Sequence, residues 1–153
     1  MRLLLIRHGS AEMNQDDDLR PLTEAGRQEA AIIAGWIKKL PFEQPTIWHS
    51  EKVRAKEAAG IILETTGWES KLSEVPGLSP SSPVDVMATR IAAEDSDLVI
   101  VGHMPFMSSM ASELVTRSSS HSYWNFETCA ALYLERAGTD QWVVCGFTMP
   151  SQL

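Results

Sequence analysis

The sequence predicts an α/β layer fold with a mostly parallel central sheet. Three observations support this fold class. Continuous apolar runs, typical of buried strands, occupy residues 2–7, 46–48 and 98–101. Segments with apolar residues at helical spacing follow them, so strands and helices alternate along most of the chain. Two strand-like segments, 129–135 and 141–148, close the sequence and predict an antiparallel pair at one end of the sheet.

Helix signals follow the first two strands. Thr23 is placed to cap the first helix, and Pro41 is expected to stop it. A second helix is predicted from about Glu51 to Thr65. The residues expected on its inner face are Val53, Ile61 and Ile62.

The second half of the chain repeats this alternation. A short edge strand is predicted at residues 72–75, and Ser82 with Pro83 is expected to cap and start a third helix. Pro105 begins a fourth helix after the strand that ends near Gly102. No internal repeat and no long linker occurs, so residues 1–153 are expected to form one domain.

Composition narrows the function classes. The chain has 153 residues and a net charge of −7, which argues against a nucleic-acid partner because such proteins present a basic face. The two cysteines, Cys129 and Cys145, lie in apolar surroundings and are expected to be buried thiols in a reducing compartment. No cysteine or histidine spacing indicates a metal site. No signal peptide or membrane span is recognised, so a cytoplasmic location and no membrane partner are expected.

Charged or polar side chains follow three of the predicted strands. Arg7 and His8 follow the first strand, His103 follows the strand at 98–102, and Ser50 and Arg54 follow the second strand. Because the carboxyl ends of parallel strands meet at one sheet edge, these residues are expected to lie together. Two guanidinium groups can grip phosphoryl oxygens, a protonated histidine can donate a further hydrogen bond, and a neutral histidine can attack phosphorus. The edge therefore predicts a phosphoryl-transfer site.

Other polar residues have simpler interpretations. His49 and His121 are expected to be structural or surface residues. The three consecutive aspartates at 16–18 are interpreted as a solvated loop, because a metal site needs converging ligands from elsewhere in the chain.

Four segments, in order, resemble the histidine phosphatase superfamily, also called phosphoglycerate-mutase-like. Residues 5–9 (LIRHG) are similar to its Arg-His-Gly signature, and residues 20–26 (RPLTEAG) to its Leu-Thr-x-x-Gly helix start. Residues 50–55 (SEKVRA) resemble its Ser-x-x-x-Arg-Ala element, and residues 101–105 (VGHMP) its Gly-His-x-Pro element. The resemblance covers residues 2 to about 115.

The resemblance implies a three-layer α/β/α sandwich and a role for each matching residue. His8 would be the nucleophile and become transiently phosphorylated, while Arg7, Arg54 and His103 would hold the phosphoryl oxygens. His103 is expected to act mainly as a cation, so activity should fall as pH rises through its pKa. Arg20 would help to recognise substrate or would be a surface charge. The family needs neither metal nor cofactor.

The short chain and residues 20–23 look most like phosphohistidine phosphatases of the SixA type. That resemblance implies an enzyme that removes phosphate from a histidine of a phosphotransfer domain, through a covalent phosphohistidine intermediate. Two alternatives stay open. One is a phosphatase acting on a small phosphomonoester, and the other is a non-catalytic binder of phosphate or a phosphoprotein.

Two departures from the family pattern bear on mechanism. Glu57 and Ala58 stand where relatives often have Gln and Thr. The support that those two residues would give to Arg54 is therefore in question. Gly77 falls near the position where relatives place an acidic residue, and Glu74 and Asp85 are the nearest carboxylates in sequence. A site without a proton donor favours a phosphohistidine, whose imidazole can leave already protonated, over an alkyl phosphate.

Overall fold

The computed structural model describes residues 1–153 as six strands and four helices in alternation. The strands are β1 (Arg2–Arg7), β2 (Thr46–His49), β3 (Leu72–Glu74), β4 (Leu98–Gly102), β5 (Ala131–Gly138) and β6 (Gln141–Thr148). The helices are α1 (Glu24–Ile37), α2 (Val53–Thr66), α3 (Val84–Ala92) and α4 (Phe106–Thr116). Short 3₁₀ helices span Asp17–Leu19 and Pro150–Gln152.

All six strands join one sheet in the order β3–β2–β4–β1–β5–β6. The first four strands in this order run parallel, whereas β5 is antiparallel to β1 and β6 is antiparallel to β5. This arrangement confirms the predicted mostly parallel sheet with an antiparallel pair at one end. The carboxyl ends of β1, β2 and β4 lie side by side, because Arg7 pairs with Gly102 and His49 pairs with Val101.

Two apolar clusters cover the two faces of the sheet. Within β1, Leu3 and Leu5 belong to the cluster shared with α3 and α4, while Leu4 and Ile6 belong to the one shared with α1 and α2. This alternation follows from the two-residue period of a strand. Because both faces are covered by helices, β1 and β4 are apolar without interruption. The predicted three-layer α/β/α fold is confirmed.

The helix ends follow the predictions in part. The Thr23 hydroxyl accepts a 2.9 Å hydrogen bond from the Gly26 N–H, as expected of an N-cap. Helix α1 ends at Ile37, three residues before Leu40, so Pro41 lies beyond the stop rather than causing it. Ser82 does not cap α3, because its hydroxyl instead accepts from the Ser79 N–H at 3.1 Å.

Two burial predictions need correction. The inner face of α2 consists mainly of small residues, Ala55, Ala58 and Ala59, whereas Val53 and Ile61 are only partly buried. Small side chains let α2 pack close to α1 and the sheet. Cys129 is buried as predicted, but Cys145 is exposed, because β6 is the outermost strand of the sheet. No helix combines the length and apolar character needed to cross a membrane.

Candidate active site

The sheet edge brings the two predicted site histidines into contact. The His8 N–H donates to the Gly102 carbonyl at 3.0 Å, which continues the parallel pairing of β1 with β4 past the end of the strand. His103 is the next residue after Gly102, and its ring centroid lies 4.9 Å from that of His8. The juxtaposition therefore follows directly from the register of two buried strands.

Two glycines press the loop after His8 against helix α1. A Cβ atom on Gly9 would lie 2.5 Å from the Gly26 carbonyl oxygen, and one on Gly26 would lie 2.0 Å from the Ser10 carbonyl oxygen. No side chain fits at either position without moving backbone. Glu29 of α1 holds the same loop, since its carboxylate accepts from the Ser10 N–H at 2.8 Å and from the Ser10 hydroxyl at 2.9 Å.

The orientation of the His8 ring exposes Nε2 as the reactive atom. Nδ1 lies 2.6 Å from the Gly9 carbonyl oxygen, which can only accept, so Nδ1 carries the proton. Arg54 Nε donates to His8 Nε2 at 3.3 Å. Burial, with a smaller contribution from the charges of Arg54 and Arg7, lowers the pKa of His8 to about 4. His8 is therefore neutral near pH 7, with a lone pair on Nε2.

Two buried nitrogen atoms beside His8 have no hydrogen-bond partner within the protein. Arg7 Nη1 donates to the Phe126 carbonyl at 2.8 Å, but Arg7 Nε is buried and unpaired. His103 is 1% exposed; its Nε2 contacts the Ser50 hydroxyl, and its Nδ1 is buried and unpaired. Leaving a buried polar group unsatisfied costs about 1–3 kcal/mol, so each nitrogen is suited to donate to a bound oxyanion.

The protonation state of His103 depends on what is bound beside it. Burial, together with the nearby positive charges of Arg54 and Lys52, lowers the pKa of His103 to about 3. In the protein alone His103 is thus neutral near pH 7, and its action as a cation during catalysis stays a prediction for the substrate complex. A phosphoryl dianion beside the ring would raise this pKa, because an opposite charge favours the protonated form.

The three aspartates at 16–18, called the acidic turn, are exposed to solvent, as predicted. The sequence did not predict that two of them, Asp17 and Asp18, also contact the cations of the site. Arg54 Nη1 donates to the Asp17 carbonyl at 2.6 Å, and Arg54 Nη2 donates to Asp17 Oδ2 at 3.1 Å. Lys52 Nζ lies 2.8 Å from the same Oδ2 and also contacts Asp18. Arg20 Nη1 pairs with Asp17 Oδ1 at 3.1 Å.

A family model described as histidine phosphatase superfamily (branch 1) matches residues 3–79. The chain belongs to the histidine phosphatase superfamily. This finding confirms the resemblance drawn from the four sequence segments, three of which lie within the matched residues, whereas residues 101–105 lie beyond them. The chain is also 24% identical to the phosphohistidine phosphatase SixA of Escherichia coli strain K12 over 119 residues, which is 74% of each protein.

Solved structures of histidine phosphatases share the whole fold. A structure of the protein histidine phosphatase SixA complexed with tungstate superimposes with a TM-score of 0.88 at 21% identity, covering 99% of each chain. The alpha-ribazole phosphatase of Shigella flexneri gives a TM-score of 0.80 at 14% identity, covering 98% of this chain and 97% of the other. The phosphoglycerate-mutase-like fold is thereby confirmed.

Glu57, which stands where relatives often have Gln, connects α2 with the start of α1. Glu57 accepts from the Leu22 N–H at 2.7 Å and pairs with Arg27 at 3.1 Å. It therefore ties α2 to the segment that leads into α1. Neither this contact nor the contacts of Lys52 and Asp17 at the site were predicted from the sequence. Their only signal there is a lysine two residues before the motif arginine.

The position of the family's acidic residue carries no carboxylate in this chain, and the carboxylate of Glu51 accepts from the Ser79 hydroxyl of the same loop at 2.6 Å. Gly77 has a φ of +91°, a left-handed conformation that strains any residue with a side chain. Glu74 is exposed at the end of β3. Asp85 lines two surface cavities that include none of the four predicted site residues. His49, predicted to be structural, is buried with Nδ1 2.9 Å from the Ser50 carbonyl oxygen, and His121 is exposed as predicted.

Proposed function

We propose that this protein is a phosphohistidine phosphatase that works without a metal or cofactor. His8 Nε2 attacks phosphorus, the bond between phosphorus and the substrate nitrogen breaks, and the electron pair leaves with the substrate imidazole. Water then attacks the phosphorylated His8, which releases inorganic phosphate and restores the neutral ring. Superfamily membership and the neutral, Nδ1-protonated His8 support this nucleophilic role.

Stabilisation of the transferring group is assigned to Arg7, Arg54 and His103. The observation that carries this assignment is the pair of buried, unpaired nitrogens, Arg7 Nε and His103 Nδ1. The His103 ring lies 4.9 Å from the His8 ring, and Arg54 Nε lies 3.3 Å from His8 Nε2. Phosphoryl transfer spreads negative charge over three oxygens, so fixed donors around the nucleophile lower the barrier. Arg20 is assigned an indirect role, because its guanidinium is bound to Asp17 and to the Glu12 carbonyl.

The leaving group is the reason to favour phosphohistidine over a phosphomonoester. An alkoxide needs a proton donor, which typically accelerates departure by 10²–10⁴-fold. The carboxylate that touches the site arginine, Asp17, cannot supply this proton, because Lys52, Arg20 and Arg54 hold its pKa far below the usual range and keep it ionised. Because Gly77 brings no carboxylate to the position of the family's acidic residue, an imidazole is the better leaving group.

The partner proposed is a protein that bears a phosphohistidine, such as a phosphotransfer domain. The relative SixA is named a phosphohistidine phosphatase, and this chain matches its structure over 99% of both lengths. A cytoplasmic setting is proposed as well, since both cysteines are free thiols.

The test compares three substrates: a phosphohistidine-bearing phosphotransfer domain, p-nitrophenyl phosphate and a sugar phosphate. Wild type should release phosphate from the phosphotransfer domain fastest, and His8→Ala should abolish that release. His121→Ala is the matched control, because it removes an exposed imidazole and should leave turnover unchanged. Faster hydrolysis of the sugar phosphate would contradict the proposal and favour the phosphomonoester alternative. Binding without turnover would favour the non-catalytic alternative.

A further inference from the structure

We propose that Lys52 is a further phosphoryl-binding residue of this site, and that the Asp17 carboxylate yields its place beside Lys52 and Arg54 when the phosphoryl group binds. The inference rests on the proposed function, because it concerns the same phosphoryl site. Lys52 would be the fifth residue of that site. The acidic turn would supply an internal anion, the Asp17 carboxylate, which the substrate phosphoryl group replaces.

Lys52 is placed as a site residue rather than as a surface charge. It is 8% exposed, and a lysine is seldom buried unless its ammonium group is paired. It stands at the start of α2, where its own N–H donates to the Ser50 hydroxyl at 3.3 Å. That hydroxyl contacts His103 Nε2. Lys52 is therefore anchored through its backbone to the residue that holds one of the site histidines.

The ammonium group and the catalytic guanidinium converge on one oxygen atom. Asp17 Oδ2 lies 2.8 Å from Lys52 Nζ and 3.1 Å from Arg54 Nη2. The same Arg54 guanidinium reaches His8 Nε2 through Nε at 3.3 Å. A phosphoryl group placed for attack by His8 would thus approach a guanidinium that the Asp17 carboxylate already engages.

The carboxylate is the component of this cluster best suited to leave. The Asp17 side chain is about half exposed, whereas Lys52 and Arg54 are buried and fixed on α2. Water can solvate the displaced carboxylate, and a phosphoryl dianion offers three oxygens to the same donors. The Asp17 carbonyl, which accepts from Arg54 Nη1 at 2.6 Å, can stay in place during this exchange.

Tungstate binding to the full chain, measured by isothermal titration calorimetry, tests the inference. Lys52→Met should weaken binding about tenfold or more, since it removes a charge-assisted hydrogen bond. Lys56→Met is the matched control, because Lys56 is exposed one turn further along α2, and it should bind like wild type. Lys52→Arg should restore most of the affinity, which a purely structural role in packing would not predict.

Asp17→Asn gives a second and independent readout. It keeps the size of the side chain and the backbone carbonyl but removes the competing charge, so tungstate should bind at least threefold more tightly than to wild type. Equal binding by Lys52→Met and Lys56→Met would overturn the role of Lys52. Weaker binding by Asp17→Asn would overturn the exchange and make Asp17 a positioning residue. Failure of wild type itself to bind tungstate would instead refute the proposed phosphoryl site.

Discussion

The two sides of the active site are built in different ways. On the nucleophile side, His8 is fixed by backbone hydrogen bonds between strands and by glycine contacts too close for any side chain. On the cation side, Lys52 and Arg54 are held by carboxylates of the acidic turn, and the Asp17 and Asp18 side chains are more than half exposed. The backbone contacts around His8 allow one geometry, whereas Lys52 and Arg54 can exchange the carboxylates for another anion.

The difference has a physical cause. Close-packed backbone cannot shift without opening voids or steric clashes, so it holds a reacting atom at a constant distance. An ion pair with one partner in water contributes little net free energy, because solvent competes for both charges. An enzyme needs the first property for its nucleophile and the second wherever substrate must replace an internal partner.

Among the variants that test the difference between the two sides, removal of the Arg54 guanidinium should have the largest effect on activity. Arg54→Ala should lower kcat for phosphohistidine hydrolysis about 10²–10³-fold, because Arg54 contacts both His8 and the acidic turn. Arg7→Ala should act in the same direction. Steady-state kinetics measure the effect, with Arg117→Ala, an exposed arginine, as control. An unchanged kcat for Arg54→Ala would show that the guanidinium does not meet the phosphoryl group.

The packed side can be tested with two glycines of the same helix. Gly26→Ala should destabilise the protein by about 3 kcal/mol or more and reduce activity, because the new Cβ would lie 2.0 Å from the Ser10 carbonyl oxygen. Gly35→Ala meets nothing within 4 Å and should stabilise the helix by up to about 1 kcal/mol. Urea unfolding compares the two. Equal stabilities would show that the loop after His8 is not rigidly packed.

Burial of the two histidines should also make stability depend on pH. The pKa values of His8 and His103 are lowered to about 4 and about 3, so the unfolded chain binds more protons than the folded one below about pH 6.5. The free energy of unfolding should therefore fall as pH falls from 6.5 towards 4, by roughly 1–2 kcal/mol per ring at pH 5.

Two measurements check this dependence. Urea unfolding at pH 7 and pH 5 should show the loss of stability, and nitrogen-15 NMR of the imidazoles should show both rings neutral at pH 6. The same spectra should show the proton of His8 on Nδ1. A ring that titrates above pH 6 in the protein alone would contradict the burial argument.

The smallest effect is expected at the exposed end of the cation side. Asp18→Asn removes one of the two carboxylates on Lys52 but leaves Asp17, so stability should change by no more than about 0.5 kcal/mol. Thermal or urea unfolding measures this change. A loss of several kcal/mol in the free energy of unfolding would show that the acidic turn is a fixed structural element. The two sides of the site would then not differ in rigidity.

The framework and the nucleophile side can be predicted from the order of residues along the chain. The uninterrupted apolar runs of β1 and β4 predict strands buried on both faces, and the residues that follow them must then meet at one edge. Arg7, His8 and His103 could be placed in this way, and the glycine motifs mark the close contact with α1. Local periodicity and strand order are sufficient for such predictions, whereas the catalytic roles of these residues remain predictions.

The cation side and the protonation states depend on contacts between distant parts of the folded chain. Asp17 meets Lys52 across 35 positions of the sequence, and Glu57 meets Leu22 across the same separation. Long-range pairs of this kind leave no periodic signal, so the exposed run of aspartates could be predicted, but its contacts with Lys52 and Arg54 could not. The neutral state of His103 likewise depends on burial, because the cost of charging a ring is set by the atoms packed around it.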